Sequence, residues 1–355
     1  MTDRGSQPSH SSRWPSRRSF GWLLALCLVC PAVGAAQEPQ TLRWHWQPGQ
    51  TFRVTTFQKV ETDTNFGGKP LKMAWEITLE QDWHVRSVTG AGQGEKEPTA
   101  SGAALVEQSL RRIQVRLDLP PASPLEFDSS SSRTPTGEAK AWAQALLPLI
   151  GPTATVTINA RGEGQQWTPS KELLAVIEAL PEDSQLRKLF SPDALSRLAK
   201  QGLCEFPEAA VAAGGEWQTT LELQSNLGKF RQQTTYQLAD AVLNPATSNG
   251  NSAGNAATPT NRDADQGTLT KITAISQLAA NSQPGDGKRI SASRELKKQR
   301  QTASYLFNAR LGYIVSGEGA QQLTTETRVR DTLVETTVNS QWRTRFAPVD
   351  GNASK

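Results

Sequence analysis

Apolar and polar residues alternate over long stretches of this chain. Between residues 72 and 86, Met73, Trp75, Ile77, Leu79, Trp83 and Val85 fall on one side. Lys72, Glu76, Thr78, Glu80, Asp82, His84 and Arg86 fall on the other. A period of two over that length predicts a long strand with one apolar and one solvated face, as in an antiparallel sheet. Ile113, Val115, Leu117 and Leu119 repeat the pattern, as do Phe230, Tyr236 and Leu238. It returns in Val334, Thr336, Val338, Trp342, Thr344 and Phe346. Short turns such as Leu311-Gly312 join such strands, which implies a broad, strongly twisted sheet.

The period changes in the middle of the chain. Ala141, Trp142, Leu146, Leu147 and Ile150 follow helical spacing across residues 138–150. A short strand over 153–160 ends at the turn Arg161-Gly162-Glu163-Gly164. A second helix is expected from Pro169 to Leu180, and a third over 184–200 with a break and restart at Pro192-Asp193. Helices grouped in this way, without alternating with strands, predict an α+β fold: a large curved, half-barrel-like antiparallel sheet with two or three helices packed on one face. Residues 92–102 read as a hairpin loop, 244–266 as a flexible insertion with almost nothing to bury, and 281–287 as a separator between strands. Residues 37–355 thus read as one β-rich domain. Pro48-Gly49-Gln50-Thr51-Phe52 and Gly214-Gly215-Glu216-Trp217 both place glycine and a polar residue before an aromatic anchor. That echo is either a duplication into halves at about 41–210 and 211–347 or a chance likeness of two junctions.

The first 36 residues have the three parts of an export signal. Arg4, Arg13, Arg17 and Arg18 face one acid, Asp3; an apolar run from Phe20 to Val33 follows; Gly34, Ala35 and Ala36 offer a cleavage site after Ala36. The run is shorter than the roughly 20 residues needed to span a bilayer. Ser16-Arg17-Arg18-Ser19-Phe20 matches a twin-arginine signal, and an ordinary secretory signal with adjacent arginines is the alternative. Export to the periplasm or cell envelope is expected, with no membrane span left after cleavage. The whole chain has 38 basic and 34 acidic residues; removal of the signal leaves 34 against 33, a net of about +1. A near-neutral domain is poor footing for nucleic acid. Cys27 and Cys30 have C-x-x-C spacing but lie inside the signal, so Cys204 is the one cysteine of the mature chain and no internal disulfide is expected.

Catalytic and metal motifs fail on inspection. The mature chain has only His45 and His84, in no metal-ligand spacing, and there is no G-x-S-x-G elbow. Glu80 and Asp82 lie on one solvated strand face, and Gly162 and Gly164 lack the lysine and helix start of a phosphate loop. No catalytic residue, cofactor or metal is expected. Two surfaces remain as candidates. Trp75, Trp83, Phe230 and Tyr236 lie on apolar strand faces, either as core or as the lining of a groove for an acyl chain. Lys288, Arg289, Arg294, Lys297, Lys298 and Arg300 form a local basic run, either a contact for anionic envelope components or a solvated strand edge.

Leu42-Arg43-Trp44, Pro48-Gly49-Gln50-Thr51-Phe52, the 73–85 strand, Leu125-Glu126-Phe127-Asp128-Ser129, the 145–150 helix end, Asn159-Ala160-Arg161-Gly162-Glu163 and Gly214-Gly215-Glu216-Trp217 carry a resemblance over most of the mature chain. Together they resemble a family of exported bacterial β-rich proteins classed as a domain of unknown function. In shape that family is similar to the curved half-barrels of periplasmic lipoprotein and lipid carriers, and it supplies no catalytic residues. The expected function is a non-catalytic envelope protein that binds a hydrophobic ligand, such as a lipid or acyl chain, or an envelope partner. A structural protein with a fully packed core and an enzyme with a scattered site are the alternatives.

Overall fold

The computed structural model describes residues 38–89, 102–121, 123–182, 184–225, 228–243, 269–280, 294–329 and 332–349. The export segment, most of the 92–102 loop, the 244–266 insertion, the 281–287 separator, Lys288 and Arg289 lie outside them.

The long alternating stretches form strands, and there are more of them than the periodicity alone marks. The N-terminal arm runs β1 (Thr51–Phe66), β2 (Lys69–Thr89), β3 (Ala103–Asp118), β4 (Leu125–Asp128), β5 (Thr153–Ile158) and β6 (Gly164–Pro169). The C-terminal arm runs β7 (Glu216–Ser225), β8 (Gly228–Leu243), β9 (Leu269–Ala280), β10 (Arg294–Asn308), β11 (Tyr313–Val329) and β12 (Thr332–Pro348). All twelve belong to one antiparallel sheet of order β6-β5-β3-β2-β1-β12-β11-β10-β9-β8-β7, with β4 paired to β3. The two arms join in the middle, where β1 pairs with β12 from Phe52–Pro348 to Phe66–Val334.

The α+β expectation is corrected by this architecture, which is mainly β. The helices fall where their periodicity places them, but they are short: α1 (Glu138–Leu146), α2 (Lys171–Glu178), α3 (Gln185–Leu189) and α4 (Pro192–Lys200), with a 3-10 turn at Leu147–Leu149. They are connections between strands, too small to make a second layer as broad as the sheet. Ser170, Ser184 and Ser191 cap the last three, each hydroxyl accepting from the backbone N–H three residues on. Leu173 and Ile177 of α2 and Leu195 of α4 pack with Ile77, Leu79, Ile113 and Val115 of the sheet.

One face of the sheet is concave. The edge strands β6 and β7 are consecutive in the chain, and the 170–215 connection spans from one to the other. A flat sheet would hold β5 and β7 about 43 Å apart at the usual strand spacing. Instead, residues 205–206 touch both sides: the Phe206 N–H donates to the Arg161 carbonyl beyond β5 (2.7 Å), and the Trp217 indole of β7 donates to the Glu205 carbonyl (2.8 Å). The sheet is therefore curled into a trough, open and not closed into a barrel.

That end of the trough is sealed. The 40–46 segment crosses it, with Trp44 N–H donating to Ala160 and His45 N–H to Gly312 (both 2.7 Å), and Gln40 bridging Val211. Trp44 and Trp46 stack at 4.8 Å, and Trp44 meets Phe346 edge-on at 5.6 Å. Trp83, Phe206, Phe307 and Trp217 complete this core. Gly312 has φ 66°, and a side chain there would collide with the His45 ring, so the β10–β11 turn and the crossing segment require glycine at this position.

Candidate functional site

Above the sealed end, the inner face of the sheet and the α3–α4 helices enclose a cavity of about 580 Å³. Its floor comes from eight strands, including Gln58, Trp75, Leu221, Tyr236, Tyr305 and Trp342, and its roof from Leu189, Ala194, Leu198 and Leu203. The volume lies within the range of roughly 300–1,000 Å³ common to small-molecule sites. Helix α4 divides its faces accordingly: Leu195 and Ala199 are buried against the sheet and the core, whereas Ala194, Arg197, Leu198 and Gln201 line the cavity.

The chemistry of the inner face is uniform. Strand register assigns to it Phe52 through Phe66 of β1 at even positions, Leu71 through Val85 of β2 at odd positions, and Val334 through Phe346 of β12 at even positions. The same face continues through Gly317 to Thr327 of β11, Gln299 to Phe307 of β10, Ile272 to Leu278 of β9, Gln232 to Leu238 of β8 and Trp217 to Leu221 of β7. None of these inner positions is Asp, Glu, Lys, Arg or His. They are aliphatic, aromatic, Met, Gly, Ala, Thr, Ser or Gln, and several of the polar ones pair among themselves, as Thr234 does with Ser276 (2.8 Å). The charges sit on the other face, where Arg53 pairs with Asp82 (2.6 Å) and Lys59 with Glu76 (3.5 Å).

Beyond the helices the trough continues uncovered. Val334, Thr336 and Val338 are half-buried, while Phe66 and Leu71 are 56 and 46 % exposed, as is Leu221 at the cavity floor at 56 %. Residues 332–338 of β12, outside the cavity, extend roughly 20 Å at the usual rise per residue.

The four residues read as ligand-lining are placed differently. Trp75 and Tyr236 meet in this cavity, Tyr236 stacked on Trp217 at 5.3 Å. Trp83 shares a face with Trp75 but lies in the sealed core, its indole donating to Gln81 (3.2 Å). Phe230 lies in β8 opposite Leu223 and Ala280, and its side chain is outside the described residues. Of the basic run, Lys298 and Arg300 are exposed on β10, Lys297 occupies a β-bulge and pairs with Glu326 (3.6 Å), and Arg294 begins the strand. Lys297, Lys298 and Arg300 do not line the cavity; the described cations that do are Lys188, Arg197 and Lys200.

Those three were not singled out from sequence. Arg197 and Lys200 sit three apart on an amphipathic helix, a spacing that alone reads as a solvated face. Burial lowers the Lys200 pKa from the usual lysine range, and its aliphatic stem packs on Gly164.

Burial pushes the Cys204 thiol well above its ordinary pKa, which leaves it a poor nucleophile. His84 Nδ1 is 3.0 Å from Thr51 Oγ1. Burial lowers the pKa of His45, which is wedged at Gly312. Among the described residues no group of three His, Cys, Asp or Glu is arranged to hold a metal.

A larger depression of about 930 Å³ opens on the outer face, between β1–β3 and the 130–135 segment. It is polar, and Asp128 of its wall belongs to an ion-pair network: Arg112 donates to both carboxyl oxygens of Asp128 (3.0 and 2.7 Å) and to Glu80 (3.0 Å). A β-bulge explains the contact, since Arg111 is the extra residue that turns Arg112 outward. Arg112, with help from Ser130, holds the Asp128 carboxyl well below the usual carboxylate range. Its stabilisation is present above the ordinary carboxylate pKa near 4 and is lost as pH falls through the lower folded value. Asp128→Asn is expected to cost about 1 kcal/mol at pH 7. In denaturant titrations the gap between variant and wild type should narrow steadily below pH 4; a gap independent of pH would contradict the assignment.

No family model and no curated protein matches the chain. Among solved structures it is similar to lipovitellin, in a study of lipid–protein interactions, with a TM-score of 0.40 and 11 % identity over 87 % of this chain and 26 % of that one. This chain thus spans about a quarter of the lipovitellin chain it matches. It is also similar to an outer membrane channel from Pseudomonas putida F1 (TM-score 0.19, 10 % identity, 88 % of this chain and 98 % of that one). Pseudomonas aeruginosa OpdQ gives a TM-score of 0.17 at 8 % identity over 84 and 98 %. Likeness at these scores carries no functional weight. Among the described residues no helix is long and apolar enough to cross a membrane.

Proposed function

We propose that the chain is a non-catalytic exported envelope protein whose trough holds an acyl chain. The observation that carries this reading is the charge-free inner face, apolar over much of its area and left uncovered past the α3–α4 roof. A structural sheet gains nothing from leaving Leu71, Phe66 and Leu221 in water, whereas a ligand that covers them recovers the transfer free energy of that surface. The roof is one short helical connection, and its removal or tilting would open the cavity lengthwise. The reach of the open trough exceeds one acyl chain, since the ~30 Å hydrocarbon core of a bilayer holds two chain lengths end to end. Carboxylates tied into outer-face ion pairs and a buried thiol support a binding role over a catalytic one. The N-terminal segment supports export, by either the twin-arginine or the ordinary secretory route.

Native mass spectrometry with lipid extraction, on the mature chain purified without detergent from its own cells, tests this directly. A reproducible added mass that extracts as an acyl lipid is expected. Val338→Asp puts a carboxylate on the inner face at a half-buried position. Covering that charge with hydrocarbon costs several kcal/mol, so the variant should fold normally and lose the added mass. Gln341→Asp, on the exposed face, should keep it. Retention of the same lipid by Val338→Asp would place the ligand elsewhere.

A further inference from the structure

The cavity has walls without charge and a mouth with three cations. Lys188 and Arg197 are exposed at the roof, Lys200 is half-buried beside them, and no acidic residue lines the cavity. None of the three has an acidic partner among the described residues. Carboxylates elsewhere in the chain neutralise Arg53, Lys59, Arg86, Arg112, Arg116 and Arg161, but none reaches this cavity. Three unpaired cations at the mouth of an apolar trough repel one another and gain from an anion placed among them.

From this complementarity we infer that the ligand is an anionic phospholipid, with its acyl chain along the inner face and its phosphate at Lys188, Arg197 and Lys200. This rests on the acyl-binding reading above and specifies the ligand. The arrangement suits an amphiphile entering tail first. The floor offers the phosphate only neutral donors, from Thr, Ser, Gln, Tyr and Trp side chains, so the head stays at the roof where the charged donors are. Phosphate, with more acceptor oxygens than a carboxylate, can engage several cations at once, and the arginine supplies a forked donor for it. Burial at Lys200 strengthens its attraction to an anion, because less water screens the pair.

Trp75 and Trp342 line the cavity and report on occupancy. Lysophospholipids brominated on the acyl chain, used as monomers below their micelle-forming concentration, quench tryptophans that they touch. The comparison is lysophosphatidylglycerol against lysophosphatidylcholine with the same chain, with brominated stearate as a third arm. Lysophosphatidylglycerol is expected to quench at a concentration at least tenfold lower than lysophosphatidylcholine, with the preference shrinking as salt is raised. The triple variant K188Q/R197Q/K200Q should lose the preference while keeping the weaker binding of lysophosphatidylcholine. K188Q/R197Q, which changes only exposed side chains, should lose most of it and guards against misfolding of the triple variant. Equal binding of the two lysolipids, or a preference that survives both variants, overturns the anionic head and leaves the acyl-binding reading standing. Tighter binding of stearate than of lysophosphatidylglycerol overturns the phosphate in favour of a carboxylate. No quenching by any of the three overturns both inferences together.

Discussion

Trp217→Ala is expected to destabilise the protein by about 3–5 kcal/mol, the cost of emptying a buried aromatic site. Set against a total stability of about 5–15 kcal/mol, that is a large share. The residue is 8 % exposed and stacks on Tyr236 with an interplanar angle of 8°; its indole donates to the Glu205 carbonyl. The last contact gives the position its weight. It ties β7, an edge of the sheet, to the same short segment whose Phe206 N–H holds the opposite side at Arg161. Loss of the ring removes packing from one edge and weakens the clasp across the trough. Trp217→Phe keeps much of the stack and loses the hydrogen bond, so it should recover more than half of the loss. Urea titrations of the three proteins decide the matter, and a midpoint for Trp217→Ala equal to wild type would remove Trp217 from its anchoring role.

The second large effect is expected at Gly162. Its φ is 84°, a region that costs an L-residue about 1–2 kcal/mol. A Cβ there would also collide with the Cys204 carbonyl and come within 2.6 Å of the Trp44 indole nitrogen. Neither neighbour can yield easily, since one is backbone and the other is stacked on Trp46. Overpacking of this kind adds roughly 1–3 kcal/mol, so Gly162→Ala should lose about 2–5 kcal/mol in all. Gly151 provides the internal control: its φ is 100°, and nothing lies within 4 Å of the position its Cβ would take. Gly151→Ala should show the backbone cost alone. Equal losses at the two sites in thermal denaturation would mean that the sealed end of the trough is looser than its contacts indicate.

Much of the sheet was legible because alternation is a local property. Residues 73–85 mark β2, and every apolar residue read on one side of it does face inward. The helical segments were legible for the same reason, through helical spacing of apolar residues and the proline that opens α4. Their weight in the architecture was not, because periodicity gives the position of a helix and says little about how much sheet it covers. The difference between Trp75 and Trp83 was hidden as well. Both have the same parity on the same strand, yet one lines the cavity and the other is sealed. What separates them is the 40–46 segment, which crosses the sheet at one end only. Bulges were a third blind spot: the run Leu110-Arg111-Arg112-Ile113 breaks alternation, and only pairing with Glu80 and Gln81 reveals that Leu110 and Ile113 both point inward. The cationic mouth depended on tertiary placement for its meaning. Lys188, Arg197 and Lys200 are ordinary helix-surface residues until the sheet curls beneath them.

The pairing of β1 with β12 at the centre of the sheet has a consequence for how the molecule is made. The first strand of the sheet to leave the ribosome acquires its second neighbour only when the last of the twelve has been synthesised, and the paired Phe52 and Pro348 lie near opposite ends of the described residues. Contacts so distant in sequence are slow to close. Until then β1 and β11 present long unpaired edges, the kind that recruit other chains. A nascent chain stopped before Thr332 would therefore be two half-sheets in need of a chaperone. The sheet cannot be completed before β12 has been made, and transport, proteolysis and quality control would all meet the molecule on one side of that closure or the other.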